Sequence, residues 1–347
     1  MPLRLKVLLL LLVALLAAAG ALVFVVPGAG ADASLVVYTS VDAEAALPLF
    51  ERFTNESGIQ VVPRTDSEAS KTTGMAERLL QLKDNPDGDV FWNSELSFTQ
   101  VLAGAGALQP YASPSARGIP PQYRDSRNCW TGFACRARVL VYNTRKVKRD
   151  EVPRTLAGLC EPRWKGRFAV AKPLFGTTRS HFAALAVALG EEQALQLFRA
   201  WRENGVLLAA SNGDVRNRVA DGTCDLGLTD SDDALAAMDR GKPVAFVVPD
   251  QTAEWRGAFL IPNSVALLKN CPHPRAARVF VDWLLRPETE KWLAENGMRQ
   301  IPVRDVSAQL PEGLRNLQAA QVDWAQVSAH VLPLGERIYR VLSGEQP

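Results

Sequence analysis

The sequence predicts an α/β protein made of two lobes with a cleft between them. After residue 33, short apolar runs typical of strands alternate with amphipathic runs typical of helices. This part of the chain is roughly 310 residues long, which exceeds what one hydrophobic core usually fills. Extended segments near residues 138 and 257 would connect the two lobes, an arrangement typical of a hinged clamshell. We expect the strands to be parallel for the most part.

The lobes can be assigned to segments of the chain. We expect residues 34–137 to form the first part of one lobe and residues 138–256 to form the second lobe. Residues 257–347 would then return to the first lobe and end in helices. Ligands of such proteins bind in the cleft between the lobes.

Residues 1–33 have the features of an export signal. Arg4 and Lys6 precede an uncharged apolar run over residues 7–26, and small residues follow it. The small-residue rule would place cleavage just before Ser34. The apolar run of 20 residues is also long enough to span a bilayer, so an uncleaved membrane anchor remains open. Both alternatives place the rest of the chain outside the cytoplasm.

Composition excludes several function classes. A formal net charge of +2 gives no reason to expect a nucleic-acid partner. The sequence contains no Gly-x-Ser-x-Gly motif and no phosphate-binding Walker loop, and we expect neither an enzyme nor a bound cofactor. The five cysteines do not have zinc-site spacing. Cys129 and Cys135 flank a predicted strand and could form a local disulfide, although the sequence leaves the pairing open.

The first predicted β-α-β unit places polar side chains at a strand end. Residues 35–38 form an apolar strand, and Thr39, Ser40 and Asp42 follow it before an amphipathic helix begins. A second strand is predicted at residues 59–62. In open α/β sheets, ligands bind at the carboxyl ends of strands, so we expect these three side chains at the ligand site.

Three further strand ends carry polar residues that we expect to line the cleft. They are Asn93, Ser94 and Glu95 after the strand at 89–92; Gly176, Thr177 and Thr178 after the strand at 168–171; and Asp230, Asp232 and Asp233 after the strand at 225–229. The glycine and threonines precede a helix predicted from residue 180, and free amides at a helix start favour an anion. One of the aspartates would cap the helix that follows.

Arginines on a long predicted strand complete the candidate site. Arg136 and Arg138 lie two positions apart within residues 130–143, so their side chains share one face. A guanidinium binds an anion through two parallel hydrogen bonds. Either arginine could therefore contact the anion expected at the strand-to-helix turn.

Several of these segments together resemble the solute-binding proteins of ABC importers, specifically the ferric-iron-binding branch. The first unit ends in Ser57, Gly58, Ile59, Gln60 and Val61, close to the "Thr-Gly-Ile-x-Val" of that branch. The segment from Gly132 to Thr144 fits its pattern Gly-x-x-x-Arg-x-Arg-Val-x-x-Tyr-Asx-Thr. Residues 89–95, 162–167 and 263–269 resemble further segments of the family in the same order. The resemblance implies a type II periplasmic-binding-protein clamshell, a permease partner in the inner membrane and a monomer.

The resemblance also shows where this chain departs from the iron-binding pattern. Iron-binding members hold Fe(III) with two adjacent tyrosines, and Asp232 and Asp233 stand at those positions here. Asp42 stands where those proteins often have a histidine. The family's acidic ligand is offset by one residue, with Ser94 at its place and Glu95 beside it.

The sequence leaves more than one class of ligand possible. Carboxylates bind a protonated amine through charge-assisted hydrogen bonds, and together with the anion turn they favour a small zwitterion such as an aminoalkylphosphonate or a related amino acid. The same carboxylates could hold a hard cation such as Fe(III) together with an anion. Alternatives of another class are a membrane-tethered sensor and an enzyme with aspartate acid and base.

Overall fold

The computed structural model describes residues 33–65, 71–251, 257–296 and 298–345. The predicted export signal or anchor lies outside these residues. None of the helices in this described part is both long and apolar enough to cross a membrane.

The described chain begins with a β-α-β unit. β1 (Ser34–Thr39) and β2 (Gln60–Thr65) pair in parallel, and α1 (Ala43–Ser57) connects them. α1 ends at Gly58, whose φ of 74° lies in the left-handed region that favours glycine at a helix end. The helix packs on the sheet because apolar residues recur at helical spacing on its buried face. These residues are Ala46, Leu49, Phe50 and Phe53.

The other elements follow in two lobes. The first lobe continues with α2 (Lys71–Gln81), β3 (Val90–Asn93), α3 (Ser97–Gly104) and β4 (Leu108–Gln109). The long β5 (Thr131–Asn143) then leads to β6 (Phe168–Ala171), α4 (Gly176–Leu189), α5 (Glu191–Glu203), β7 (Leu207–Ala209), α6 (Asn212–Ala220), β8 (Leu226–Asp230), α7 (Ser231–Asp239) and β9 (Val244–Val247). The chain returns through β10 (Leu260–Leu268) and ends in α8 (Pro274–Leu284), α9 (Pro287–Glu295) and α10 (Trp324–Ser343).

β5 connects the two lobes. The strand order is β2-β1-β3-β10-β5-β8-β6-β7, with β4 paired to β10 and β9 paired to β5. Residues 131–137 of β5 pair with β10, whereas residues 138–142 pair with β8. The change of strand partner falls between residues 137 and 138, and the bounds assigned to the lobes from the sequence stay a prediction. These lobes confirm the predicted two-lobed α/β fold.

The prediction that most strands are parallel is wrong. Four strand pairings in the described chain are parallel: β1 with β2, β1 with β3, β6 with β7 and β6 with β8. The other five pairings are antiparallel and all involve β5 or β10. The difference arises because the strands that cross between the lobes run against their neighbours.

The interior of the first lobe is built from aromatic side chains. Trp92 is fully buried, and its ring lies 5.7 Å from that of Phe50 in an edge-to-face arrangement and 6.3 Å from that of Phe133. Such contacts contribute beyond the apolar area that they bury. Trp92 therefore belongs to the core and does not line the cleft.

All five cysteines are free thiols. Cys129 and Cys135, which the sequence suggested as a local pair, are both buried. Burial raises the pKa of the Cys129 thiol and that of the Cys135 thiol, so both stay protonated at neutral pH.

The C-terminal helix joins the two lobes at the back of the molecule. α10 packs on α4 and α5 of the second lobe and on α3 of the first. The buried Arg179 of α4 donates from Nε to the carbonyl oxygen of Val331 at 3.0 Å and from Nη2 to that of Leu332 at 2.7 Å. Pro333 follows these carbonyls and has no amide N–H of its own. Arg179 thus fastens α10 where the proline interrupts its hydrogen bonding.

Gly335 makes room for this contact, and we predict that Gly335→Ala destabilises the fold. A Cβ at this position would lie 2.9 Å from the carbonyl oxygen of Pro173 and would also collide with the Arg179 side chain. Overpacking of this kind costs about 1–3 kcal/mol of the free energy of unfolding, which urea denaturation measures. Gly104→Ala is the matched control, because Gly104 lies in a helix with open space around it. Equal stability of the two variants would contradict the prediction.

Candidate functional site

A cleft of about 840 Å³ opens between the two lobes. Most of the residues that the sequence placed at strand ends line it. From the first lobe these are Thr39, Ser40, Asp42 and Ser94; from β5 and the second lobe they are Arg136, Gly176, Thr177, Thr178, Asp230, Asp232 and Asp233. The cleft has the size of a small-molecule site.

Asn93 and Glu95 lie beneath the cleft and do not line it, which corrects their predicted placement. The Glu95 carboxylate is fully buried and accepts hydrogen bonds from the backbone N–H groups of Ser97 at 2.6 Å and Phe98 at 3.0 Å. It therefore caps the N-terminus of α3, as carboxylates commonly do. Asn93 donates to the same carboxylate at 2.7 Å.

Glu95 also links the two lobes. The hydroxyl of Ser180, on α4 of the second lobe, donates to its Oε2 at 2.7 Å. The side chain of Asn93 accepts a hydrogen bond from Ser40 at 2.6 Å, and Ser40 in turn accepts one from the backbone N–H of Ser94 at 2.8 Å. These buried polar groups hold the first-lobe wall of the cleft in place.

Arg138 is also buried beneath the cleft, and its partner is Asp230. Its Nη1 donates to Asp230 Oδ1 at 2.6 Å. The other carboxylate oxygen, Oδ2, accepts from Thr177 Oγ1 at 2.6 Å and from Asn212 Nδ2 at 3.1 Å. Arg138 is only 1% exposed, which corrects the expectation that it reaches the cleft surface. The positive charge of Arg138 is instead neutralised by the Asp230 carboxylate.

The expectation that one aspartate caps the helix after β8 is also corrected. Asp230 occupies the N-cap position of α7, yet its side chain makes no capping hydrogen bond. It turns towards Arg138 instead. The nearest interaction of the capping kind is a 3.2 Å hydrogen bond from the backbone N–H of Asp233 to Asp232 Oδ1.

The other two aspartates are each paired with an arginine at the cleft surface. Arg136 donates from Nε to Asp232 Oδ2 at 3.0 Å, and its Nη1 reaches across to the carbonyl oxygen of Ser94 at 2.6 Å. Arg216 donates to Asp233 Oδ1 at 3.2 Å. The cleft therefore contains alternating acidic and basic groups with few uncompensated charges.

Burial perturbs the acid–base properties of this cluster. It raises the pKa of Asp232, against the pull of Arg136. The pKa of Asp233 is raised to about 7 by burial together with repulsion from Asp232 and Asp230. Burial works against the charge of Arg136, but the surrounding aspartates outweigh it and raise its pKa. One proton is thus held in the cluster near neutral pH.

The three aspartates also form a candidate cation site. One carboxylate oxygen from each of Asp230, Asp232 and Asp233 can be chosen so that all lie within 4.8 Å of one another. Hard cations favour oxygen ligands of this type. Each carboxylate already accepts a hydrogen bond from one of the arginines described above, so a cation would have to compete with three guanidinium groups.

Two helix N-termini of the second lobe reach the cleft beside a lysine. α4 begins at Gly176, four residues earlier than predicted, and its N-cap residue Phe175 makes no side-chain capping bond. α6 begins at Asn212. Lys172 lines the same cleft, half-buried, and within the described chain its ammonium has no hydrogen-bond or ion-pair partner. Backbone amides at helix starts and a lysine are groups that bind anions.

The sequence reasoning missed three of these residues: Lys172, Asn212 and Arg216. Lys172 directly follows the strand at 168–171, and Asn212 follows β7 at another strand-to-helix turn. The same pattern that singled out Gly176 could have found both. Arg216 lies within a helix, and no local sequence signal connects it to Asp233.

The Asp233 carboxyl should make stability depend on pH. Its pKa is about 7 in the folded protein against 3.8 for an unperturbed aspartate, so the folded state holds the extra proton between these values. The contribution of this carboxyl to the free energy of unfolding is therefore lost as pH rises from about 4 to 7. We predict that Asp233→Asn gains stability relative to the wild type across this window, measured by urea denaturation. Asp150→Asn, at an exposed position, controls for the lost charge, and a pH-independent difference for Asp233→Asn would contradict the prediction.

Known proteins resemble this chain over most of its length. A family model described as bacterial extracellular solute-binding protein matches residues 89–330. The Fe(3+)-binding periplasmic protein of Serratia marcescens is 26% identical over 324 residues, which cover 91% of this chain and 93% of that protein.

Solved structures share the fold. Iron-bound HitA from Pseudomonas aeruginosa superposes with a TM-score of 0.77 at 23% identity, covering 88% of this chain and 99% of HitA. The periplasmic binding protein AfuA from Actinobacillus pleuropneumoniae, with exogenous fructose-6-phosphate bound, gives a TM-score of 0.75 at 20% identity and covers 90% of this chain and 98% of AfuA. The family match and these relatives confirm the resemblance: the chain belongs to the bacterial extracellular solute-binding proteins, as a type II periplasmic binding protein of the iron-binding branch.

Proposed function

We propose that this protein is the extracytoplasmic solute-binding component of an ABC importer and that its solute is a small zwitterion. The favoured solute carries an acidic group at one end and an amine at the other, as in an aminoalkylphosphonate or a related amino acid. The protein would bind the solute between its lobes as a monomer and deliver it to a permease in the inner membrane. No chemical conversion of the solute is part of this function.

The observation that supports this proposal is the presence of two opposite kinds of binding group in one cleft. Asp232 and Asp233 offer carboxylate oxygens, while Lys172 and the N-termini of α4 and α6 offer cationic and N–H groups. A zwitterion can satisfy both, because its amine donates to the carboxylates and its acid accepts from the amides. A ligand with only one kind of charge would use only one of these two sets of groups.

The size of the cleft leaves room for an organic solute. Its volume of about 840 Å³ lies within the range of sites that bind small molecules. AfuA, which shares the fold, holds an organic phosphate ester. An acidic organic molecule is therefore compatible with this architecture.

The amine-binding role of Asp232 can be tested with two matched probes, 2-aminoethylphosphonate and ethylphosphonate. Losing one charge-assisted hydrogen bond should cost about 1.5–3 kcal/mol, roughly tenfold or more in affinity. We predict that Asp232→Ala loses this much affinity for the amine-bearing probe and little for the probe without an amine, as measured by calorimetry. Asp233→Ala should behave in the same way.

The control for this experiment is Asp150→Ala, which removes an exposed aspartate outside the residues that line the cleft. It should bind both probes like the wild type. Equal losses for both probes in Asp232→Ala would show that the variant perturbs the cleft as a whole. If the wild type binds neither probe, a thermal-shift screen of amino acids, phosphate esters and metal salts replaces them, because a ligand of the folded state raises the melting temperature.

A metal ion is the second candidate ligand. The three clustered aspartates favour a metal ion. The similarity to the Fe(3+)-binding periplasmic protein of Serratia marcescens favours it as well. Against it stand the arginine partners of each carboxylate. The resemblance also implies that iron-binding members use a tyrosine pair, which this chain replaces by Asp232 and Asp233.

We therefore predict no tight Fe(III) binding and no visible colour. Tyrosinate bound to iron absorbs strongly, and none of the five tyrosines is adjacent to another in the sequence. The test is titration of the purified protein with ferric citrate, with and without phosphate, followed by visible absorption and by metal analysis after desalting. A stoichiometric amount of retained iron would favour the metal as the ligand and contradict the zwitterion.

A further inference from the structure

The groups at the base of the cleft that are best suited to hold an anion are already occupied by a side chain of the protein. We propose that Asp230 acts as a built-in anion, which fills this position and determines that the acidic group of the solute binds elsewhere in the cleft. Asp230 is then a specificity-determining residue. The inference rests on the proposed function in one respect: it specifies which groups of the cleft remain available to the solute.

Three donors converge on the Asp230 carboxylate. Arg138 Nη1 lies 2.6 Å from Oδ1, and Thr177 Oγ1 and Asn212 Nδ2 lie 2.6 Å and 3.1 Å from Oδ2. They come from β5 and from the first residues of α4 and α6. A guanidinium, a hydroxyl and an amide at helix N-termini form a set that binds phosphate or carboxylate groups.

Burial makes an anion at this position necessary. Arg138 is 1% exposed, and arginine cannot lose its proton in a protein. Among the residues that the structure describes, its Nε also has no hydrogen-bond partner. A buried guanidinium needs a negative partner. Either Asp230 or an anion from solution must therefore supply it.

The orientation of Asp230 supports the same conclusion. The residue stands at the N-cap position of α7, where an aspartate usually accepts a hydrogen bond from the helix backbone. No such bond is made here. The carboxylate instead points at Arg138, so capping is not its role.

With Asp230 in place, an acidic group of the solute is repelled from Arg138. The cleft groups still available to it are Lys172 and the backbone amides at the starts of α4 and α6. An acidic group bound there would lie on the lobe that carries the aspartates, which limits how far it can be from the amine. The built-in anion therefore sets the geometry of the solute as well as its charge.

The test removes both the negative charge and the bulk of the side chain that fills the position. Asp230→Ala leaves Arg138 without an anionic partner and vacates space beside it, so inorganic phosphate should bind there. We expect phosphate to bind this variant at least tenfold more tightly than the wild type in calorimetry. Phosphate should also raise the melting temperature of the variant more than chloride does at the same ionic strength.

Two controls separate a built-in anion from an ordinary structural ion pair. The double variant Asp230→Ala, Arg138→Gln lacks the buried guanidinium and should gain no affinity for phosphate. Asp150→Ala removes an exposed charge and should bind phosphate like the wild type. An ordinary ion pair predicts that Asp230→Ala is destabilised equally in phosphate and in chloride, and that result would overturn the proposal.

If Asp230→Ala does not accumulate in folded form, its refolding is compared in phosphate and in chloride. Recovery in phosphate alone supports the proposal, and equal recovery or equal failure in both salts overturns it. Because these measurements use inorganic phosphate only, they are independent of the solute. A wild-type protein that binds no zwitterion would contradict the proposed function and leave this result unaffected.

Discussion

The buried ion pair between Arg138 and Asp230 is the constraint on which the site depends. In the register of β5 and β8, these two residues lie directly opposite each other, at the first position where β5 leaves its first-lobe partner β10 for the second-lobe sheet. The pair thus stands at the crossing between the lobes. Its carboxylate orients Thr177 and Asn212, and through them it fixes the starts of α4 and α6 relative to β8. Breaking such a pair leaves an uncompensated buried charge, which is strongly destabilising.

Several further contacts join the lobes around this pair, and they differ in how readily they can break. Glu95 and Ser180 are fully buried, and Arg179 fastens α10 to the second lobe, so these contacts are shielded from water and costly to break. At the mouth of the cleft, Glu44 and Arg240 form an exposed ion pair of 2.5 Å. Exposed pairs contribute little free energy because water and salt screen them. The contacts at the mouth of the cleft are therefore the ones that cost least to break, which is the pattern that hinged domain closure requires.

The sequence predicted the fold and much of the lining of the cleft, and the reasons for its misses are specific. Strand ends are visible in the sequence, and in an α/β sheet they share one edge, so Thr39, Asp42 and Asp232 could be placed together. The direction of a side chain is not visible in the same way. Glu95 accepts hydrogen bonds from the backbone N–H groups at the start of α3 and so turns away from the cleft. Arg138 pairs with Asp230 because the two residues lie opposite each other in the register of β5 and β8, which the sequence does not show. The link between Arg216 and Asp233 depends on the packing of α6 beside α7, which local sequence does not specify.

The arrangement of charges supports the proposal that this cleft binds an ammonium group in preference to a metal ion. A carboxylate has about four lone-pair positions, and the arginine contacts of Asp232 and Asp233 leave several of them free. An ammonium can donate to these positions without displacing a guanidinium. A metal ion must approach each ligand oxygen to about 2.0–2.6 Å and would lie close to Arg136, Arg138 and Arg216 at once. Repulsion from three guanidinium groups in a partly buried site acts against such binding, whereas a proton held by Asp233 can leave as the ammonium arrives.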